Sequence, residues 1–179
     1  MSLPTPHFLS QNILNEEEAK LATPLKFNSE PLHVVVFTIN QQAYAIESRF
    51  IKEVFTIKEL TPLFDMPPHF KGVVNLKRRI IAVFDLAIVL GLAPVKARTN
   101  SLAILLTNQL REFAIIIETV DRTETLPAES LSPYPGISQK HIKGEFSGQL
   151  ILIDGETLIE DPHLLIQERA NQALAQEND

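Results

Sequence analysis

From Leu32 onward the chain alternates short apolar runs with polar or proline-bearing breaks. The first run, Val34, Val35, Val36, Phe37 and Ile39, is too rich in β-branched residues to favour a helix, and N-Q-Q at 40–42 supplies a turn before the apolar stretch Ala43 to Ile46. A hairpin over 32–47 is predicted. E-S-R-F-I-K-E-V-F-T-I then reads as a helical turn entering a strand, while L-T-P at 60–62 and M-P-P-H at 66–69 interrupt regular structure. Two strands follow, at 72–76 and 79–84, joined at the cations Lys77, Arg78 and Arg79. Asp85 is placed to cap a short helix ending at Gly91, a cap worth about 1 kcal/mol.

The second half runs through the same order. Leu102 to Thr107 and Glu112 to Ile117 predict a hairpin, V-D-R-T-E-T-L-P a strand, L-S-P-Y-P-G a proline-rich loop, and F-S-G-Q-L-I-L-I-D a last hairpin ending in an aspartate. H-F-K-G at 69–72 recurs as H-I-K-G at 141–144, L-T-P at 60–62 as L-S-P at 131–133, Y-A-I at 44–46 as F-A-I at 113–115, and Asp85 as Asp154. The separations drift by only three residues, from 69 to 72, so the chain reads as a duplicated unit of about 65 to 70 residues with insertions confined to loops. A unit of five short strands and one helical turn does not cover both faces of a flat sheet. It is expected to curl, which predicts a mainly β fold of two small five-stranded barrels packed side by side, the first over 32–92 and the second over 100–154.

The flanks differ. Residues 1–31 hold four of the twelve prolines around N-E-E-E-A-K-L-A, where Asn15 can cap a short helix over 16–22, so this stretch is expected to be an arm. Asp161-Pro162 has the form of an N-cap followed by proline at the first helical position, which predicts a C-terminal helix and tail over 161–179.

Composition narrows the chemistry. The 179 residues, 45 % hydrophobic, suffice for one ordinary core or two small ones, and a net charge of −6 opposes a general affinity for phosphate backbones or anionic membranes. Cysteine is absent, which removes thiolate catalysis and cysteine-based metal sites. The five histidines (His7, His33, His69, His141, His163) show no metal-ligand spacing, and no nucleophile elbow or phosphate-cradling glycine loop is present. The chain is expected to be a non-enzymatic binding protein without a cofactor, and with no secretion signal or spanning segment it reads as cytoplasmic. Lys77, Arg78 and Arg79 read either as a binding site or as the solvated tip of a hairpin. A nucleic-acid-binding barrel is a third possibility, disfavoured by the absence of tryptophan and by the single dense basic run.

The order F-T-I-N-Q-Q-A-Y-A-I, I-K-E-V, P-P-H-F-K-G-V-V-N-L, I-I-x-V-x-D-L, A-I-I-I-E-T-V and a late I-K-G closely resembles the CheW-like chemotaxis coupling domain over about residues 32–160. The resemblance implies two five-stranded SH3-like barrels with short helices, and a scaffold that holds a CheA-type histidine kinase, through the kinase's regulatory domain, against the cytoplasmic hairpin tip of methyl-accepting chemoreceptors. It also implies that the kinase contact is an end-to-end packing of barrels and that the receptor tip lies in a groove near the barrel junction. Carried over by position, the partner-binding residues are Ile51, Glu53, Gly72, Asn75, Lys77 and Arg78, with Lys77 at the family's motif arginine. The motif N-L-R-G is here N-L-K-R, so Arg78 replaces a glycine suited to positive φ, and the usual proline after I-I is Ala82. The resemblance places such coupling in chemotaxis or in type IV pilus-linked motility, and a CheW-like interaction module with non-receptor partners is the alternative.

Overall fold

A computed structural model describes residues 30–96, 100–136 and 140–164. The arm helix expected over 16–22 and most of the C-terminal helix lie outside these residues. Strands β1 (Leu32–Ile39) and β2 (Gln42–Glu47) form the predicted first hairpin, and a 3-10 turn over Ser48–Phe50 leads into β3 (Ile51–Thr56). Strands β4 (Phe70–Leu76) and β5 (Arg79–Asp85) flank the cation turn, and the helix α1 (Leu86–Val89) follows Asp85 as expected. The second half supplies β6 (Leu102–Thr107), β7 (Glu112–Ile117), β8 (Thr119–Leu126), β9 (Leu131–Ser132), β10 (Ile142–Phe146), β11 (Leu150–Ile153) and α2 (Gly155–Ile159).

The strands form two sheets, in the orders β8-β1-β2-β11-β10-β9 and β3-β6-β7-β5-β4. The fold is thus mainly β and bipartite, but the expected division into units at 32–92 and 100–154 is corrected by the pairing. The first sheet joins the opening hairpin to β8–β11, and the second joins β3–β5 to the hairpin β6–β7. The duplicated halves have exchanged their first hairpins. In both sheets the guest hairpin meets its host through a parallel pair, β2 with β11 and β5 with β7. Neither sheet closes into a complete ladder, since β3 and β4 remain edges of one and β8 and β9 of the other.

The duplicated motifs explain one another in space. Gly72 has φ +142, and a Cβ there would stand 2.4 Å from the Thr61 carbonyl oxygen; at Gly144 a Cβ would stand 2.6 Å from the Ser132 carbonyl oxygen. The chain after L-T/S crosses directly over the glycine, as Thr61 pairs with Val73 and Ser132 with Glu145. Likewise Asp85 N–H donates to the His69 carbonyl and Asp154 N–H to the His141 carbonyl, each at 2.8 Å. The main core gathers Phe37, Ile46, Ile81, Phe84, Leu105 and Ile116 from both sheets, which fuses them into one body.

Candidate functional site

One end of the second sheet collects the residues singled out by the motif resemblance. Strand β3 starts there because it runs antiparallel to β6, with Ile51 opposite Leu106, and the starts of β5 and β7 lie there because those strands are parallel neighbours. The turn between β4 and β5 and the turn between β6 and β7 therefore project from the same end.

Two residues, Lys77 and Arg78, make the first turn, with Leu76 paired to Arg79. Their φ values of +51 and +66 are those of a type I′ turn, whose twist suits a two-residue hairpin. The matching turn of the second half has φ +52 at Ser147 and +66 at Gly148. Arg78 therefore keeps the conformation of the glycine it replaces instead of reshaping the turn, at a cost of about 1–2 kcal/mol. Within the fold nothing offsets that cost: Arg78 is exposed and, among the described residues, has no ion-pair partner.

Its neighbours are paired. Lys77 Nζ donates to Glu53 Oε2 at 2.6 Å, joining the β4–β5 turn to the edge strand β3. Arg79 pairs with Glu112, and Lys52 reaches the same carboxylate at 3.1 Å. Partial burial alone would raise the Glu112 carboxyl, but hydrogen bonds from Lys52 and Arg79 outweigh it and hold the group below the usual carboxylate range. An open groove of about 650 Å³ lies between β3 and β4, lined by Phe55, Ile57, Val74 and Leu76 with Asn75, Lys58 and Glu59 among its polar walls.

Of the six expected contact residues, Lys77, Arg78 and Asn75 are exposed, and Ile51 and Glu53 are half-buried on β3. Gly72 is buried beneath the Thr61 carbonyl, so its glycine identity follows from packing and it is absent from this surface. Lys52 and Glu112 complete the end with Arg79, and sequence reading passed over those two because the pairing of β5 with β7 is what assembles them. Among the described residues no three histidine, aspartate or glutamate side chains are grouped to hold a metal ion.

The model of the CheW-like domain matches residues 33–169. The chain is 26 % identical over 157 residues to the chemotaxis protein CheW of Klebsiella aerogenes, covering 83 % of this chain and 95 % of that one. It is 28 % identical over 126 residues to the CheW of Thermotoga maritima, covering 70 % and 81 %. Among solved structures it resembles the scaffolding protein TtCheW of Thermoanaerobacter tengcongensis, with a TM-score of 0.61 at 22 % identity over 69 % of this chain and 88 % of that one, a likeness of fold.

Proposed function

The chain belongs to the CheW-like domain family, and from that premise we propose that it is a chemotaxis coupling scaffold linking a CheA-type histidine kinase to the cytoplasmic tips of chemoreceptors. The role needs no catalysis and no cofactor; it needs two surfaces held rigidly by one body. No helix among the described residues is long and apolar enough to cross a membrane, and the proposed place of work is the cytoplasmic face of a receptor array.

The observation that carries the receptor half is the groove between β3 and β4. Its apolar floor suits one face of a helical hairpin, and Asn75 in its wall, with Glu53 on β3 and Lys77 and Arg78 in the adjoining turn, would set the register of that hairpin. Arg78, without an ion-pair partner among the described residues and held in a strained conformation, is the group most readily explained by a partner.

Titration of the protein with the cognate kinase's regulatory domain and, separately, with the receptor's cytoplasmic hairpin tests both halves. The double variant K77E/R78E is expected to lose ~1–3 kcal/mol of receptor affinity with its fold intact. Unchanged receptor affinity would return these cations to a solvated turn. No binding of the kinase domain at about 50 µM, a weak limit for a scaffold contact, would remove the kinase half in favour of a module with other partners.

A further inference from the structure

Strand β8 ends the first sheet, and among the described residues it pairs with β1 alone. The first hairpin decides which of its backbone groups remain open. Asn40 and Gln41 form a two-residue turn at φ +48 and +65, so Ile39 and Gln42 are a hydrogen-bonded pair, and alternation along β1 turns Val35 and Phe37 to β2 as well. Val34, Val36 and Thr38 therefore present their N–H and C=O groups to the β8 side, where the Thr38 carbonyl accepts from Glu118 N–H at 3.0 Å. Arg122 and Glu124, opposite Val36 and Val34, use their backbone groups on β1, and those of Thr123 and Thr125 point away from the sheet. The His33 imidazole and Thr125 hydroxyl, 3.0 Å apart, show the close side-chain approach of a pair not hydrogen-bonded through its backbone.

Edge strands are ordinarily kept from pairing by a bulge or by charge. The bulge here is at Asp121, which has no partner on β1 and whose carboxylate accepts from the Thr38 and Thr119 hydroxyls at 2.8 and 2.6 Å. The charges, by contrast, are self-complementary. When a second copy of β8 lies antiparallel about a two-fold axis through Thr123, that residue meets its own copy with both backbone groups in place, and Arg122 of each chain falls opposite Glu124 of the other. Such flanking pairs bring side chains closest, with about 4.5 Å between Cα atoms. Within one chain Arg122 Nε already donates to Glu124 Oε2 at 2.9 Å. The four groups therefore close into a square in which each guanidinium lies between two carboxylates and uses donors the single pair leaves open. Moving the axis by one residue preserves backbone matching only if it passes to Arg122 or Glu124, and there like charges oppose each other.

We propose that β8 is a self-association edge through which two copies of the chain join, antiparallel about Thr123, into one continuous sheet. The ladder is short, because the bulge ends it on both sides, and a net charge of −6 on each copy opposes it. The dimer is accordingly weak and reversible, with a dissociation constant on the order of 100 µM. The edge belongs to the first sheet and the β3–β4 groove to the second, so the pairing shares no residue with that groove.

Sedimentation of the full chain over a range of concentrations, at about 0.15 M salt and with thermal melting as a fold control, tests this on R122E, E124R and the double variant R122E/E124R. Each single variant sets like charges across the axis and is expected to dimerise about tenfold or more weakly than the wild type. R122E raises the net negative charge and E124R lowers it, so a general charge effect would move them in opposite directions. The double variant, and an equimolar mixture of the two single variants, restore opposite charges at both positions and should return to within about threefold of the wild type. The mixture separates pairing between chains from the pair within one chain, which stays broken in both of its components. Cysteine is absent from the sequence, so T123C should oxidise to a disulfide-linked dimer across the axis, where Cα atoms are about 5.5 Å apart, and T125C should not. A wild type monomeric to about 1 mM with T123C uncrosslinked, a dimer indifferent to the single variants, or a mixture no stronger than its components would each overturn the proposal.

Discussion

At the scale of single residues, Asp85 shows how burial changes what a cap is worth. Its side chain is fully buried and accepts hydrogen bonds from Ala87 N–H and from Val95 N–H, ten residues on, each at 3.0 Å, with Lys71 Nζ at 3.9 Å. Burial raises its pKa, and the Lys71 charge and the backbone donors only partly counter that. Asp154, its counterpart in the second half, is half-buried and, among the described residues, accepts from Thr157 N–H alone. Removing Asp85 strands two backbone donors in the interior and frees the segment after α1, where removing Asp154 exposes one donor near water. Asp85→Ala is therefore expected to cost ~2–4 kcal/mol, more than the 1 kcal/mol of an ordinary cap, and Asp154→Ala ~1 kcal/mol. Urea unfolding of the two variants checks this, and equal losses would mean that the second bond of Asp85 carries no weight. Partner affinity should be unaffected, because Asp85 is fully enclosed.

At the scale of elements, the crossing of one chain segment over a glycine strand is the repeated device of both halves. At Gly72 a methyl group would collide with the Thr61 carbonyl, and the φ of +142 is one that side chains rarely adopt; at Gly144 the collision is with the Ser132 carbonyl and the side chain of Leu131. Gly72→Ala and Gly144→Ala should each destabilise by ~2 kcal/mol or more, read by thermal melting, with Gly72 the worse because strain is added to overlap. Loss of the Gly72 crossing would also disturb the groove, whose wall includes Thr61. The coincidence of H-x-K-G with L-T/S-P was legible along the chain, as were the strands other than the two-residue β9, which falls in L-S-P-Y-P-G read as a loop, because alternation and turn residues are local signals. The sheet partners were not. The two first hairpins are equivalent by duplication, so either could complete either sheet, and only tertiary geometry decides that they are exchanged. The same limit applied to the site: Lys77 and Glu53 stood out by motif, whereas their mutual ion pair and the sharing of Glu112 by Lys52 and Arg79 depend on the placement of β6 and β7.

At the scale of the whole molecule, exchange of hairpins means that neither half can fold to completion alone, and the C-terminal turn ties the exchange off. Leu164 is buried in the shared core, and the two repeat-equivalent histidines reach the same short segment from opposite halves: His69 Nε2 donates to the His163 carbonyl at 3.1 Å, and His141 Nε2 to Asp161 Oδ2 at 2.8 Å. Asp161 also receives Lys140 at 3.2 Å and His163 N–H at 2.9 Å. Burial pushes the His141 imidazole below its ordinary pKa of 6.5, and the Asp161 carboxylate beside it pulls upward without restoring it, while Lys140 pushes down again; Nδ1 is buried with no partner among the described residues. Burial alone would raise the Asp161 carboxyl, but the His163 N–H, Lys140 and His141 together hold it low. For a group whose folded pKa is depressed, the unfolded chain takes up the proton first, so stability is complete above the unfolded value and falls as acid is added. His141 should therefore cost stability as the pH drops below about 6.5, with a slope of at most ~1.4 kcal/mol per pH unit, and Asp161 only at much lower pH. Replacing His141 by glutamine deletes that titration and weakens the clasp: the variant is expected to be ~1–3 kcal/mol less stable at pH 7.5 and to approach the wild type by pH 5. Urea unfolding of both proteins across that range gives the answer. Parallel curves would show that the clasp holds without regard to the charge on His141, and would leave the acid sensitivity to the carboxylates alone.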